Sequence, residues 1–351
     1  MVRFSLFLLV LHLENLYIVT EIRYTCIIFK NKDRQMDKLA VLIPAYNEEQ
    51  TISKVVKDVI ATTVDIPGTV VYVYDNNSSD NTVELAQAAG AVVRHEFAQG
   101  KGAVIRRMFR EIDAEAYIMI DADDTYPVEA IPEMYNRITD RGVDMVVGDR
   151  LSSTYFEQNT RPFHNVGNSM VRWMINFLFK TDIKDILTGY RAFSYRFVKT
   201  FPVLSRGFEI ETEMSIHATE KRMLVENQVI EYRDRPEGSE SKLDTYGDGM
   251  RVLKAVANLY RGYHPFAFYG ILSVIALVIA FVMFISRVWL PYSHTGNVEN
   301  MPTLVVSMIL LVIAVIAFFA GAILNAIQMN EKRSFELALV NAENRSKDLS
   351  K

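Results

Sequence analysis

The sequence predicts an α/β fold with a mostly parallel, Rossmann-like sheet, followed by two transmembrane helices. Three observations predict it. Short apolar segments alternate with helix-like segments from residue 39 onward, polar clusters stand where apolar segments end, and two long C-terminal stretches carry no charge. Alternating strands and helices are typical of a parallel sheet, and about 20 uncharged residues are enough to cross a bilayer.

The regular pattern begins at Met36. Residues 1–35 contain an apolar stretch that no small-residue cleavage site follows, so they do not match a cleaved signal peptide. We interpret them as a possible upstream extension without an assigned function. The predicted elements then follow in the order strand 39–43, helix 49–61, strand 69–74, helix 80–89 capped by Asp80, strand 91–94, helix 101–112, strand 117–120 and strand 143–148.

Polar clusters follow three of the predicted strands. Pro44-Ala-Tyr-Asn-Glu-Glu49 follows the first strand, Asp75-Asn-Asn-Ser-Ser-Asp80 the second, and Asp121-Ala-Asp123 the apolar run that ends at Ile120. Because the carboxyl ends of parallel strands meet at one edge of a sheet, where α/β folds bind ligands, we expect the three clusters to line one crevice.

Asp121 and Asp123 are candidate metal ligands. Carboxylate oxygens suit Mg²⁺ or Mn²⁺, and such ions often keep only one or two protein carboxylates together with substrate phosphates. In the alternative interpretation these residues and Asp124 cap the helix that Pro127 begins. The residues by themselves favour neither interpretation.

The glycine motifs narrow the class of nucleotide site. No Gly-x-Gly-x-x-Gly follows the first strand, which argues against a dinucleotide site of the NAD type. Gly100-Lys-Gly102 lacks the upstream glycine and the Ser/Thr of a P-loop, so the Walker interpretation fails. We expect Lys101 to lie near a phosphate because it begins a predicted helix; the alternative is a plain turn.

A second acidic cluster comprises Glu209, Glu211 and Glu213. Three alternate residues of a helix cannot all share one face. Glu209 fits a solvated first turn, where the helix dipole favours acids. For Glu211 we expect contact with sugar hydroxyls or with an arginine of a phosphate site.

Composition excludes several partners and compartments. The net charge is −4 and the charges are interspersed, so a nucleic-acid partner is not expected. Cys26 is the single cysteine and cannot form an internal disulfide. The absence of any other cysteine fits a soluble part that lies in the reducing cytoplasm.

Residues 266–286 and 301–327 contain no charged side chain, and we predict that each crosses the membrane. Two buried core helices are the alternative, which this length disfavours. Basic residues flank the pair on the outer sides of both segments: Arg251, Lys254, Arg261, Lys332 and Arg333. The positive-inside rule therefore places both ends in the cytoplasm of a multi-pass membrane protein.

The predicted domains are 36–243 for the catalytic α/β domain, 244–263 for an amphipathic helix on the membrane surface, 264–330 for the two spans with a short extracytoplasmic loop, and 331–351 for a cytoplasmic tail. A further amphipathic helix is predicted over residues 168–179. Its apolar face either packs in the core or lies against lipid.

The motifs, taken in their order along the chain, resemble those of family 2 glycosyltransferases with the GT-A fold. Within that family the resemblance is to polyprenyl-phosphate glycosyltransferases, relatives of dolichyl-phosphate mannose synthase and bactoprenol glucosyltransferase, and it covers residues 38–330. The sequences that carry it are Pro44-Ala-Tyr-Asn-Glu48, Asp75-Asn-Asn-Ser-Ser-Asp80, Gly100-Lys-Gly102, Asp121-Ala-Asp123, Thr188-Gly-Tyr-Arg191 and Arg235-Pro-Glu-Gly-Ser-Glu-Ser-Lys242.

The resemblance implies a membrane-anchored, inverting glycosyltransferase. It would move a sugar from a nucleoside diphosphate sugar, with UDP-sugars favoured, to undecaprenyl phosphate, giving a lipid-linked sugar donor for cell-envelope glycosylation. Mg²⁺ or Mn²⁺ would be the cofactor, the lipid bilayer a partner, and a homo-oligomer a possible assembly.

The resemblance also implies roles for matching residues. The nucleotide site would comprise Pro44, Tyr46, Glu48, Asp75, Lys101 and Asp121. The catalytic residues would be Asp121 and Asp123, which hold the metal, together with Arg150, Arg161 and Arg235. The acceptor phosphate would meet Arg150, Arg161, Ser239, Ser241 and Lys242, and Arg191 is a further candidate phosphate ligand. The chain departs from the family pattern at Asn76 and Asn77, where relatives often have Asp-Gly, and at Thr125, where some have Gln.

Two other functions remain as alternatives. A processive polysaccharide synthase would carry Gln-x-x-Arg-Trp, whereas Ser169-Met-Val-Arg-Trp173 lacks the Gln, and two spans are few for a channel. An inert membrane scaffold that keeps a nucleotide-sugar fold is the second alternative. The acidic pair and Arg235 argue against it, and an activity assay discriminates between them.

Overall fold

The computed structural model describes residues 36–152, 172–180, 182–231, 233 and 245–349. The predictions for several residues lie outside these ranges: residues 1–35, Arg161, Arg235, Ser239, Ser241 and Lys242. The amphipathic helix predicted at 168–179 is described from residue 172 onward.

The described elements follow the predicted alternation. The strands are β1 (Asp37–Ala45), β2 (Thr69–Asp75), β3 (Val92–His95), β4 (Ala114–Met119), β5 (Met145–Asp149), β6 (Arg191–Ser194) and β7 (Val225–Val229). The helices are α1 (Ile52–Thr62), α2 (Thr82–Ala88), α3 (Lys101–Glu111), α4 (Ile131–Arg141), α5 (172–179), α6 (Tyr195–Thr200), α7 (Ile210–Glu220), α8 (Thr245–Tyr263), α9 (Pro265–Phe284), α10 (Leu290–Thr295) and α11 (Met301–Leu349).

The seven strands form one sheet in the order β3-β2-β1-β4-β6-β5-β7. Within the described chain only β6 runs antiparallel to its neighbours. The predicted mostly parallel α/β sheet is therefore confirmed. The central strands β1, β4 and β5 are buried along most of their length, as strands covered on both faces must be.

Helices cover both faces of the sheet. On one face Leu42 and Phe193 pack with Met108 of α3 and Met214 of α7. On the other face the side chains of β1 and β4 pack against α1 and α4. Strand side chains alternate between the two cores because successive residues of a strand point to opposite faces.

One helix start differs from its prediction. Helix α2 begins at Thr82, and Asn81 occupies its N-cap position, so Asp80 is not the cap. The Asp80 carboxylate instead accepts hydrogen bonds from the backbone N–H and the hydroxyl of Thr82. Asp80 therefore accepts hydrogen bonds from the first residue of α2, although it stands one position before the N-cap residue.

Two C-terminal helices are long and apolar enough to cross a membrane. The first runs from Pro265 to Thr295 through a π-helical turn at Ile285–Trp289, and the second is α11, with 49 residues. The hydroxyl of Ser273 donates to the carbonyl of Ala314 at 2.7 Å, which ties the two helices together. The segment predicted as a tail at 331–351 continues α11 as far as Leu349.

Candidate active site

The loops that follow β1, β2 and β4 meet at the carboxyl edge of the sheet, as predicted. The backbone N–H of Asn47 donates to the hydroxyl of Ser78 at 2.9 Å, and the backbone N–H of Ser79 donates to the Asn47 side chain at 2.7 Å. The Thr51 hydroxyl donates to the carbonyl oxygen of Ala122 at 2.6 Å. These bonds join the three loops at one edge of the sheet, and we call this edge the crevice.

Each of these three loops contains a residue with a left-handed backbone. The φ angles are 52° at Asn47, 67° at Asn77 and 58° at Asp124. Asn and Asp tolerate this conformation better than other residues with a Cβ. Such conformations persist where the surrounding structure enforces them, and they cluster at functional sites.

Asp121 and Asp123 follow β4, which ends at Met119. Asp123 is buried, and the Thr125 hydroxyl donates to its Oδ1 at 2.6 Å. Neither aspartate caps the helix that follows, because the N-cap positions before Val128 and Ile131 are Pro127 and Ala130 and make no side-chain cap bond. The capping alternative is therefore wrong.

Lys101 joins Asp121 to Glu211. Its Nζ lies 2.6 Å from Asp121 Oδ1 and 2.7 Å from Glu211 Oε1. Burial opposes the charged amine, but the two carboxylates outweigh this and raise the pKa of Lys101. Burial raises the pKa of Glu211, and Lys101 offsets part of that effect. Lys101 therefore begins α3 as expected, but its amine contacts two acids of the crevice.

Glycines create the close approaches around this trio. A methyl group on Gly189 would overlap the carboxylate of Asp121. Methyl groups on Gly100 and Gly102 would overlap the backbone carbonyls of Arg206 and Ser205. Gly100 and Gly102 therefore allow the loop before α7 to pack closely against the start of α3, and α7 carries Glu211. Gly189 leaves room for the Asp121 carboxylate.

Arg150 lies beside the crevice with its guanidinium engaged. Its Nε and Nη2 donate to the two carboxylate oxygens of Asp185, at 2.7 Å and 3.2 Å, and its Cζ lies 5.7 Å from the ring centre of Tyr126. The phenol oxygen of Tyr126 accepts the backbone N–H of Gly189 at 3.1 Å. Sequence patterns did not identify Asp185 or Tyr126, because neither belongs to a recognisable motif.

Arg191 is not available to a phosphate, so its prediction as a phosphate ligand is wrong. Its side chain is fully buried and donates to the carbonyls of Thr188 and Ile186 and to the hydroxyl of Ser215. Burial lowers the pKa of Arg191 to about 10, so it stays charged at neutral pH. It holds the loop before β6 against α7.

The predicted nucleotide residues line the β1 and β2 side of the crevice. Asp75 is buried, and its two oxygens lie 3.2 Å and 3.3 Å from the Ser78 backbone nitrogen. Tyr46 is exposed, and Glu48 Oε2 lies 3.4 Å from the Thr51 hydroxyl. Pro44 occupies the penultimate position of β1. These residues thus lie at the same edge of the sheet as the acidic pair.

The donor chemistry at Asp121 and Asp123 fits a hard divalent cation that also binds phosphate oxygens. Among the residues that the structure describes, no group of three or more His, Cys, Asp or Glu side chains could hold a metal. Mg²⁺ commonly uses one or two carboxylates with substrate phosphates and water, so the two aspartates suffice for that mode.

Comparisons with known proteins identify relatives of this chain. The family model described as Glycosyl transferase family 2 matches residues 40–203. Glycosyltransferase AglJ of Haloferax volcanii is 32% identical over 67% of this chain and 76% of its own length. A dolichyl-phosphate hexose transferase of the same organism is 30% identical over 64% of this chain and 94% of its own length.

A solved structure is similar in fold. The glucosyl-3-phosphoglycerate synthase of Mycobacterium tuberculosis superposes with a TM-score of 0.51 over 63% of this chain and 79% of that chain, at 22% identity. At this identity the likeness shows the fold alone. The catalytic domain has the GT-A fold, as the resemblance implied.

Proposed function

Because this chain belongs to glycosyl transferase family 2, and so is a glycosyltransferase, we propose that it transfers a sugar from a nucleoside diphosphate sugar to undecaprenyl phosphate at a membrane surface. The observation that carries the proposal is the Asp121–Asp123 pair at the sheet edge of a chain that also has two helices apolar enough to cross a bilayer. The similarity to a dolichyl-phosphate hexose transferase supports the choice of a lipid phosphate acceptor.

Asp121 and Asp123 would hold Mg²⁺ or Mn²⁺. That ion would supply positive charge against the leaving diphosphate. The Thr125 hydroxyl orients the buried carboxylate of Asp123, and Gly189 leaves room for Asp121. The Thr125 bond thus fixes the Asp123 carboxylate before any substrate arrives, which limits reorganisation at that metal ligand.

The nucleotide would lie along β1 and β2. Tyr46 offers an exposed ring and Asp75 a buried carboxylate for the base, while Pro44 and Glu48 would shape the wall of the site. We favour UDP-sugars as donors, by family resemblance. Lys101, which already contacts Asp121, would stand next to the diphosphate.

The acceptor would be a lipid monophosphate, which is already ionised at neutral pH and needs no strong base to become a nucleophile. Its phosphate would meet Arg150, which the Asp185 carboxylate holds in one orientation. Arg161, Arg235, Ser239, Ser241 and Lys242 would complete the acceptor site. Attack opposite the leaving group would invert the anomeric centre, which NMR of the product tests; a retained configuration would contradict this.

The two apolar helices would anchor the catalytic domain in the cell membrane with both chain ends in the cytoplasm. The acceptor head group lies at the bilayer surface, so anchoring brings the enzyme to its substrate. A local search then replaces a three-dimensional one.

The decisive experiment incubates the purified full chain with Mg²⁺ or Mn²⁺, undecaprenyl phosphate and a panel of labelled UDP- and GDP-sugars. Label should pass into the lipid phase with one donor. Asp123→Asn should lower the rate at least about 100-fold, because it removes a charge from the metal site. Asp124→Asn is the matched control, because Asp124 pairs with Lys54 and Asn tolerates its left-handed backbone. No lipid-linked product with any donor, or equal rates in both variants, would reject the proposal.

A further inference from the structure

His95 lies beside Asp75, the buried residue that ends β2. The two residues are register partners on the neighbouring parallel strands β3 and β2. His95 Nδ1 lies 3.3 Å from Asp75 Oδ2, and the His95 side chain is about half exposed. Because a carboxylate only accepts hydrogen bonds, the ring nitrogen that faces it carries the proton and donates. No sequence motif of the candidate site includes His95.

The Asp75 carboxylate has little acceptor capacity left. Its two oxygens offer about four lone-pair sites. The backbone N–H of Ser78 is shared between them, with its nitrogen 3.2 Å from Oδ1 and 3.3 Å from Oδ2. The Nδ1–H of His95 takes a second site on Oδ2. The partners that the structure describes therefore leave a single acceptor site, which is on Oδ1.

Asn76 holds the loop after β3 in the position that brings His95 to Asp75. Its side-chain amide donates to the backbone carbonyls of Glu96 and Ala98, at 2.8 Å and 2.9 Å. Its side-chain oxygen accepts the backbone N–H of Gly100 at 2.8 Å. These three bonds join the loops that follow β2 and β3, so the contact between His95 and the carboxylate is formed before a nucleotide binds.

Nucleobases differ in the donors that they present to a carboxylate. Uracil and thymine present one ring N–H, which lies between two carbonyl groups. Guanine presents a ring N–H and an adjacent amino group, which together suit both oxygens of an unoccupied carboxylate. A ligand donor that is buried without an acceptor costs binding free energy. A carboxylate with one free acceptor site therefore favours uracil or thymine over guanine.

We propose that His95 determines the nucleobase preference of the enzyme. By occupying one oxygen of Asp75, it selects uridine or thymidine diphosphate sugars over guanosine diphosphate sugars. This inference rests on the proposed function, because it requires the base of the donor to meet Asp75. His95 acts on the base through the carboxylate, so it is a positioning residue.

Calorimetry on the full chain in detergent tests the proposal, with Mn²⁺ present and UDP and GDP as the probes. The natural chain should bind UDP at least about 10-fold more tightly than GDP. In His95→Phe, which keeps a ring but lacks the donor, Oδ2 can accept the amino group of guanine. GDP should then bind about 10-fold more tightly than it binds the natural chain. A purely structural role of His95 would instead weaken the binding of both nucleotides.

Two further variants serve as controls. In His95→Asn the amide nitrogen stands as many bonds from Cβ as Nδ1 does, so it donates to the same oxygen of Asp75, and the preference for UDP should persist. Val92→Ala changes an exposed residue of the same edge strand. It should leave the dissociation constants of both nucleotides unchanged.

The outcomes separate the two proposals. The role of His95 is rejected, and the proposed transfer reaction is left standing, if the natural chain binds UDP and GDP equally or if the ratio of their affinities is unchanged in His95→Phe. Equal weakening of both nucleotides in His95→Phe, or loss of the preference in His95→Asn, has the same meaning. Failure of the natural chain to bind either nucleotide with Mn²⁺ rejects the nucleotide site on which both proposals depend.

Discussion

At the scale of single residues, the acidic crevice contains its own counter-charge. Lys101 lies within 2.7 Å of both Asp121 and Glu211. A cation bound at Asp121 would compete with this amine for the same carboxylate. Glu211 places a second carboxylate beside Lys101. The buried amine would therefore still have an ionic partner when Asp121 binds a metal.

We therefore expect Glu211→Gln to weaken metal use. Without the second carboxylate, Lys101 should bind Asp121 more tightly, and the Mn²⁺ concentration for half-maximal activity should rise about 10-fold, a change of about 1.4 kcal/mol. Glu213→Gln is the control, because Glu213 is also buried on α7 but accepts the backbone N–H groups of Leu204 and Ser205. It should lower the melting temperature and leave the metal requirement unchanged. An equal metal requirement in both variants would contradict the role of Glu211.

The space beside Asp121 gives a second prediction at this scale. Gly189→Ala places a methyl group where the carboxylate of Asp121 lies, and we expect activity to fall at least about 10-fold because small misplacements of catalytic groups are costly. Gly262→Ala is the control, because a Cβ there meets no atom within 4 Å. Titration calorimetry with Mn²⁺ should show weaker binding only for Gly189→Ala. Unchanged activity in that variant would show that Asp121 can move without consequence.

At the scale of elements, the strands and most helices of the catalytic domain could be predicted from apolar periodicity. The buried residues of each element recur with the period of a strand or a helix, and this pattern is visible in a single sequence. The partners of Arg150 and Arg191 could not. Asp185 is 35 residues from Arg150 in sequence, and the burial of Arg191 depends on α7 packing over the sheet. Such tertiary pairings leave no local signal in a single sequence.

The C-terminal part of α11, residues 331–349, is a helix whose packing could not be predicted from the sequence. A charged segment follows the apolar one, which suggested a tail. In the structure Phe335 and Ala342 are buried against the catalytic domain, Lys221 pairs with Glu331 at 2.8 Å, and Arg196 with Glu343 at 3.3 Å. Two apolar residues seven positions apart were too few to indicate docking, although they lie on one face of the helix.

A charged residue on the buried face of residues 331–349 should detach this part of α11 from the catalytic domain. Ala342→Glu buries a carboxylate without a partner, and we expect a loss of roughly 2 kcal/mol in the free energy of docking. Hydrogen exchange should then accelerate along residues 331–349. Val340→Glu is the control, because Val340 is exposed. Equal exchange in the two variants would mean that the segment does not dock in solution.

At the scale of the whole molecule, His217 lies where α7, α8 and α11 meet. Its Nδ1 lies 3.3 Å from the Tyr263 hydroxyl, and its ring packs edge-to-face on Phe335. Burial, with a smaller contribution from Lys221, lowers the pKa of His217 to about 3. The catalytic domain and the C-terminal helices thus share a buried, neutral imidazole.

This burial predicts how stability depends on pH. The unfolded chain binds a proton at His217 below about pH 6.5, whereas the folded chain excludes it down to about pH 3. The free energy of unfolding should therefore fall as the pH decreases through this interval. In His217→Phe the melting temperature in detergent should decrease less between pH 7.5 and pH 5 than in the natural chain. Parallel curves would show that His217 is protonated in the folded state.

The unbroken course of α11 has a mechanical consequence. About 19 residues beyond the apolar segment extend roughly 28 Å at 1.5 Å per residue, and their far end pairs with Asp113 before β4. A rigid rod inclined by a further 10° would displace that end by about 5 Å. In the proposed membrane placement, the thickness of the bilayer affects the inclination of such rods, and a change in thickness would therefore pull or push on the catalytic domain at Asp113, about 28 Å from the apolar segment.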